Sequence, residues 1–115
     1  MLCCYGGVWN PFERVNKQWA FVVKLTQCDG GQTFVYDKQW EPMDEHYFNH
    51  KDNYSYAMKV VEGYPEVRVE GLKGSLIFFD CTRYHRVDEV LAGRRYSMGG
   101  FVGLLEDEQR LIVWS

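Results

Sequence analysis

Three polar side chains in the C-terminal half have the types and spacing to bind a metal ion and an organic acid. They are His85, Arg95 and Ser97. A neutral imidazole nitrogen is a good ligand for Fe(II), and a guanidinium group presents a planar fork of donors that matches a carboxylate. Arg95 and Ser97 stand two positions apart, so on a β-strand their side chains leave the same face. From one face of a strand, these two side chains could contact the same ligand.

The segments that carry these residues are predicted to be neighbouring strands. Gly93 permits a tight turn, so residues 84–90 and 94–104 are predicted to pair as a hairpin and to bring His85 and Arg95 to one cavity. Residues 74–80 form a nearly continuous apolar run, which predicts a central strand covered on both faces.

Further strands are predicted on either side of this region. Residues 19–26 and 32–36 flank a turn sequence that contains Gly30 and Gly31, which predicts a second hairpin. Residues 66–70 alternate like an edge strand, and residues 111–114 would form an edge strand or the end of a docked helix. The composition agrees, since aromatic residues make up 17% and there are 11 glycines. We expect one β-rich domain over residues 1–115.

Charge and cysteine content limit the classes of partner. Thirteen Lys and Arg against sixteen Asp and Glu give a net charge of −3, which supplies no electrostatic reason to bind nucleic acid or a membrane. A small molecule or a protein is the better expectation for a substrate. The four cysteines lack metal-site spacing, and no signal-peptide pattern is seen, so reduced thiols and a cytoplasmic location are predicted.

Three short motifs together resemble the distal half of a known family. They are Gly74-x-Leu76-x-Phe78, His85-Arg86-Val87-x-x-Val90 and Gly93-x-Arg95-x-Ser97. In order and spacing they look like the second half of the iron(II)- and 2-oxoglutarate-dependent oxygenases, closest to the prolyl 4-hydroxylase-like branch. The resemblance runs from about Trp19 onward and implies an all-β jelly roll, that is, a double-stranded β-helix.

The resemblance also implies roles for individual residues. His85 would be an iron ligand, and Arg95, assisted by Ser97, would bind the far carboxylate of 2-oxoglutarate. Members of this family hydroxylate a C–H bond while 2-oxoglutarate is decarboxylated to succinate. The implied cofactors are Fe(II) and 2-oxoglutarate, with ascorbate as an optional addition.

The chain departs from the family pattern in its first part. The family places a His-x-Asp or His-x-Glu motif about ten residues before the strand at 19–26, and no such motif is found. In that window Glu13 and Asn10 are weak candidates for oxygen ligands. The family's N-terminal helices are also missing, which suggests a truncated or degenerate member. The rival interpretation is a non-catalytic jelly roll that serves as a binding or assembly module, and a cupin-like metal protein ranks last.

The segment of residues 37–56 has no sustained periodicity and is predicted to be an insertion or lid loop. His46 and His50 within it are expected to lie on a solvated loop, although they could replace the missing ligands if the loop folded over the cavity. Cys81 is expected to be an inert core thiol. An edge left uncovered by missing N-terminal elements could pair with a second copy, so a homo-oligomer is an open prediction.

Overall fold

The computed structural model describes residues 2–3, 15–51, 55–69, 71–107 and 109–115. Within these ranges a little over half of the residues lie in strands, the helical part is limited to short 3₁₀ segments, and every strand pair is antiparallel. The strands in chain order are β1 (Leu2–Cys3), β2 (Val15–Lys24), β3 (Asp29–Gly30), β4 (Thr33–Gln39), β5 (Phe48–Asn49), β6 (Ser55–Tyr56), β7 (Glu66–Val69), β8 (Leu76–Phe79), β9 (Arg83–Val87), β10 (Val90–Ala92), β11 (Ser97–Leu105) and β12 (Leu111–Trp114).

Two larger sheets and one small ribbon make up the architecture. One sheet has the order β5-β6-β1-β9-β4-β7, the other has the order β12-β11-β2-β8, and β3 pairs with β10 as a ribbon. Two short 3₁₀ helices, Pro42–Tyr47 and Met58–Val61, follow β4 and β6, and both are far too short to span a bilayer. The predicted β-rich jelly-roll class is confirmed.

Both predicted hairpins are wrong, because their strands belong to different sheets. β2 lies in the four-stranded sheet and β4 in the six-stranded one, and β9 and β11 are divided in the same way. The turn residues were recognised correctly, but they carry the chain from one sheet to the other instead of back along the same sheet. The two segments that pass between the sheets pair with each other as the β3–β10 ribbon, in which Val90 is the partner of Gly30.

The apolar run at 74–80 is also placed differently from the prediction. β8 lies at an edge of the four-stranded sheet, and Leu76 and Phe78 are 62% and 52% exposed on its outer face. The side chains on both faces of β8 are apolar, which makes the sequence continuously apolar, but only the inner face of the strand is covered. The edge positions predicted for β7 and for residues 111–114 are confirmed.

The main apolar cluster lies on the outer face of the six-stranded sheet. Its buried members come from β1, β4, β9 and the second 3₁₀ helix, and they are Leu2, Tyr36, Val60, Val61 and Tyr84. Trp40, Tyr47 and Tyr56 pack against them. Strand alternation places this cluster on the side of the sheet opposite His85, since neighbouring residues of a strand point to opposite faces.

The first 3₁₀ helix is fixed to the same outer face by a buried ion pair. Lys38 Nζ lies 3.0 Å from Asp44 Oδ2, and the two side chains are only 7% and 5% exposed. The Tyr84 hydroxyl donates to the same carboxylate at 3.1 Å, and the backbone N–H of Glu41 donates to it at 3.0 Å. Burial of these charges is tolerated because each is paired and hydrogen-bonded.

The predicted insertion therefore packs largely against this outer face. Its described residues include the 3₁₀ helix of Pro42–Tyr47 and the short β5–β6 pair, which leads into the apolar cluster. None of them lines the cavity between the sheets that is described next. A lid function for this segment stays a prediction.

Candidate functional site

A cavity of about 450 Å³ opens between the two larger sheets. This volume lies within the range typical of small-molecule sites, roughly 300–1,000 Å³. Strands β2, β8 and β11 supply one wall, β4 and β7 supply the other, and the loops around Gly31 and Gly71 close the ends. The lining residues are Val22, Lys24, Gln27, Gly31, Gln32, Thr33, Arg68, Val69, Gly71, Leu72, Ser75, Ile77, Arg95 and Ser97.

The charges of this lining are all of one sign. Lys24, Arg68 and Arg95 contribute three cationic side chains, and the described lining residues include neither Asp nor Glu. Thr33 and Ser97 add hydroxyl groups to the lining, and Gln27 and Gln32 add side-chain amides, so a ligand can form several hydrogen bonds. A cavity with this lining favours an anionic ligand that can accept several hydrogen bonds.

Arg95 and Ser97 meet on the wall of the cavity as the spacing predicted. Arg95 Nη1 lies 3.2 Å from Ser97 Oγ, so both side chains can contact the same functional group of a ligand. Arg95 Nε donates to the carbonyl oxygen of Gly31 at 3.0 Å, which fixes the direction of the guanidinium group.

Gly31 is required at this place for two reasons. Its φ of +65° lies in the left-handed region that side chains other than glycine rarely adopt. A Cβ atom here would also stand 2.9 Å from Arg95 Cδ, closer than real contacts allow. The Gly30-Gly31 signal was interpreted only as a turn in the sequence, whereas Gly31 in fact holds Arg95 against the cavity wall.

His85 lies on the inner face of the six-stranded sheet, in the middle of β9. Its Nδ1 is 2.9 Å from the carbonyl oxygen of Arg83, and its ring packs edge-on against Phe79 with centroids 5.1 Å apart. The contact favours the tautomer in which Nδ1–H donates and Nε2 carries the lone pair, as metal-binding histidines commonly have. Burial lowers the pKa of His85, opposed by the Arg83 hydrogen bond, and this favours the neutral ring that a metal requires.

The shared cavity predicted for His85 and Arg95 needs correction. Register pairs His85 with Val35, two residues along β4 from Thr33, which does line the cavity. His85 therefore shares the inner face but is not one of the lining residues. The physical reason is that His85 lies on β9 of the six-stranded sheet, whereas Arg95 directly precedes β11 of the four-stranded sheet, so the two are not neighbours in a hairpin.

The described residues do not complete an iron site. No three His, Cys, Asp or Glu side chains among them stand close enough together to hold a metal ion. Cys3 is the register partner of His85 and shares its face, but burial raises the pKa of this thiol. The weak candidates Glu13 and Asn10 lie outside the described residues, so the structure gives no account of them.

His46 and His50 are exposed, although His46 lies in the first 3₁₀ helix and not on a loop. His46 makes an edge contact with Tyr47 and His50 makes one with Phe48, with centroids 5.3 Å and 5.0 Å apart. Tyr47 and Phe48 belong to the segment on the outer face of the six-stranded sheet. Neither histidine lines the cavity.

The fold and the cavity define the class of protein: a jelly roll with a cationic cavity between its two larger sheets. The particular family follows from sequence. Residues 10–115 match the family described as carrier-protein-independent halogenase WelO5. The chain belongs to this family, and thereby to the iron(II)/2-oxoglutarate dioxygenase superfamily.

Two curated proteins are similar over almost the whole chain. The L-gamma-glutamyl-L-propargylglycine hydroxylase of Streptantibioticus cattleyicolor is 33% identical over 112 residues, which cover 96% of this chain and 40% of that protein. The leucinostatins biosynthesis cluster protein S of Purpureocillium lilacinum is 25% identical over 126 residues, covering 93% and 51%. The chain thus spans about half, or less, of the length of these relatives.

Solved structures agree on the fold. A crystal structure of an N-substituted L-amino acid dioxygenase from Burkholderia ambifaria, in complex with alpha-KG, superposes with a TM-score of 0.65 at 19% identity, over 85% of this chain and 39% of that one. A second crystal structure of such a dioxygenase from the same organism gives a TM-score of 0.67 at 19% identity, over 91% and 42%.

Proposed function

We propose that this chain binds 2-oxoglutarate in the cationic cavity and supplies the cosubstrate-binding part of an iron(II)-dependent oxygenase. The reaction would be hydroxylation of a C–H bond, coupled to decarboxylation of 2-oxoglutarate to succinate. Arg95 and Ser97 bind the distal carboxylate of the cosubstrate, and His85 is a ligand to the iron.

The observation that carries the proposal is the Arg95–Ser97 pair on the wall of a cavity lined by three cations. The guanidinium group of Arg95 is held in direction by Gly31, which reduces the entropy lost when it binds a carboxylate. The 3.2 Å separation of Arg95 Nη1 and Ser97 Oγ lets one carboxylate accept from both. Membership in a 2-oxoglutarate-dependent superfamily then supports this identity for the anion.

His85 is the single described residue assigned to the metal. When bound, iron would supply the activation of oxygen that the protein's own side chains cannot perform. The Arg83 carbonyl orients the His85 ring, and Phe79 excludes water from one side of it. Glu13 and Asn10 stay weak candidates for further ligands.

The proposed substrate is a small molecule of the amino acid type. The support is indirect and comes from the names of two similar proteins. One is an L-gamma-glutamyl-L-propargylglycine hydroxylase, and the other is an N-substituted L-amino acid dioxygenase. The prolyl 4-hydroxylase-like branch, the optional use of ascorbate and self-association stay predictions of the sequence. A protein substrate stays the alternative.

The proposal is tested by anaerobic titration of the protein with Fe(II) and 2-oxoglutarate. A weak visible charge-transfer band is expected, because it arises only when the cosubstrate chelates protein-bound iron. His85→Ala and Arg95→Ala should each abolish the band. Absence of a band at millimolar cosubstrate would contradict the proposal and would favour a non-catalytic jelly roll.

A further inference from the structure

Lys24 stands beside the proposed carboxylate anchor on the neighbouring strand. In the register of β2 and β11, Lys24 is the direct partner of Ser97. Directly opposed residues of an antiparallel pair have Cβ atoms about 4.5–5.5 Å apart and point to the same face. Both side chains line the cavity, and Ser97 Oγ also contacts Arg95 Nη1. An anion at this hydroxyl would therefore have a cation on either side, Lys24 from β2 and Arg95 from the segment just before β11.

We infer that Lys24 is a third member of the carboxylate anchor, and that its ammonium group binds the same distal carboxylate as Arg95 and Ser97. This inference rests on the proposed function and deepens it by naming a further ligand-binding residue, which lies outside the Gly93-x-Arg95-x-Ser97 motif. It also predicts a preference: acids with a second carboxylate should bind far better than 2-oxo acids with one.

The electrostatics of the cavity support this role. The Lys24 ammonium group donates a hydrogen bond to a neutral acceptor, the carbonyl oxygen of Gly71, at 3.1 Å. An ammonium group has three donors, so it can keep this bond while donating to a ligand. With no acidic residue in the described lining, Lys24 and Arg95 are two like charges on one wall. A bound carboxylate relieves their repulsion, which favours an anion at this point.

The loop at the end of the cavity holds Lys24 in place. The backbone N–H of Lys24 donates to the carbonyl of Ser75 at 3.1 Å, and the N–H of Gly74 donates to the carbonyl of Lys24 at 2.7 Å. Together with the bond to Gly71, these contacts tie one residue to both ends of the segment 71–75. Little conformational freedom is then left to lose when the ammonium group binds a ligand.

The test compares 2-oxoglutarate with 2-oxobutyrate, which lacks the distal carboxylate, by calorimetric titration of Lys24→Met. Affinity for 2-oxoglutarate should fall by about tenfold or more, as expected for a lost charged hydrogen bond. Affinity for 2-oxobutyrate should be unchanged. Lys17→Met is the matched control, since Lys17 is exposed on the same strand and its parity places it on the outer face. Lys24→Met binding 2-oxoglutarate as tightly as the wild type would overturn the inference.

A second measurement on the unaltered protein keeps the inference testable if the variant fails to fold. Lysines are acetylated with a water-soluble reagent, and the extent at each is read by mass spectrometry. 2-Oxoglutarate should protect Lys24 but not Lys17, and 2-oxobutyrate should protect neither. If Lys24 were labelled equally with and without 2-oxoglutarate, in protein shown to bind 2-oxoglutarate, the role of Lys24 would be refuted and the proposed function would stand. No binding by the wild type would remove the proposed function as well.

Discussion

Arg95 Nη1 lies 3.2 Å from Ser97 Oγ on the wall of a cavity that carries three cations. Because the hydroxyl can donate to a carboxylate that the guanidinium group already holds, Ser97→Ala should weaken 2-oxoglutarate binding by about three- to tenfold. Ser115→Ala removes an exposed hydroxyl that does not line the cavity and should leave affinity unchanged. Calorimetric titration of both variants checks this, and equal affinities would show that the Ser97 hydroxyl does not contact the ligand.

The tautomer of His85 can be observed directly. The hydrogen bond from Nδ1 to the Arg83 carbonyl at 2.9 Å predicts that Nδ1 carries the proton in metal-free protein at neutral pH. Long-range ¹H–¹⁵N correlation spectra distinguish the two neutral forms. The chain has three histidines, and comparison with His85→Gln assigns the signal. A spectrum with the proton on Nε2 would remove the argument that Nε2 is prepared for a metal.

The buried pair of Lys38 and Asp44 should be important for stability. Burial alone lowers the pKa of Lys38, but hydrogen bonds to Asp44 and Glu41 outweigh it, so the pKa is raised. The stabilisation is therefore present below the ordinary lysine pKa and is lost only as the pH rises above it. Lys38→Met leaves Asp44 buried without its partner and should cost about 3–5 kcal/mol in the free energy of unfolding.

Urea denaturation measures this cost, with exposed Lys59→Met as the control for loss of one positive charge. The control should change the free energy of unfolding by less than about 0.5 kcal/mol. A similar small change for Lys38→Met would mean that the ion pair does not hold the first 3₁₀ helix against the sheet.

Cys81 should be almost unreactive in the native protein. Its side chain is 0% exposed, and burial raises its pKa to about 11, partly offset by the Gln18 amide that donates to the thiol at 3.5 Å. At pH 8 the thiolate fraction is then roughly one part in a thousand. Because the folded pKa is the higher one, this group should lower stability as the pH rises from about 9 to 11.

Iodoacetamide labelling with peptide-level mass spectrometry checks the prediction for Cys81. The protein in urea serves as the control and should be labelled rapidly at the same pH. Native labelling at the rate of the unfolded chain would contradict the burial of this thiol.

The sequence predicted individual residues of the cavity better than the arrangement of strands. The two-residue spacing predicts that Arg95 and Ser97 share one face of a strand, and both do line the cavity, although Arg95 lies two residues before β11 begins. The hairpin predictions failed because turn residues such as Gly31 and Gly93 report that the chain reverses but not which sheet it enters. That choice depends on contacts distant in sequence, such as the ribbon pairing of Gly30 with Val90.

Lys24 and the Lys38–Asp44 pair could not be predicted in the same way. Lys24 ends an apolar run, where a lysine ordinarily marks the point at which a strand reaches solvent. Its place opposite Ser97 follows from a register between β2 and β11, two strands more than 70 positions apart in the chain. Lys38 alternates with exposed residues in β4, and it is covered by groups distant in sequence: Asp44 of the first 3₁₀ helix and the rings of Tyr64 and Tyr84.

The central claim is that Arg95 anchors 2-oxoglutarate in the cavity, and equilibrium dialysis with labelled 2-oxoglutarate tests it most directly. Arg95→Met should lower affinity by about tenfold to a hundredfold, the effect expected for a lost charge-assisted hydrogen bond. Arg94→Met, which changes an exposed arginine one position away, should bind like the wild type. Undiminished binding by Arg95→Met, at unchanged melting temperature, would contradict the account.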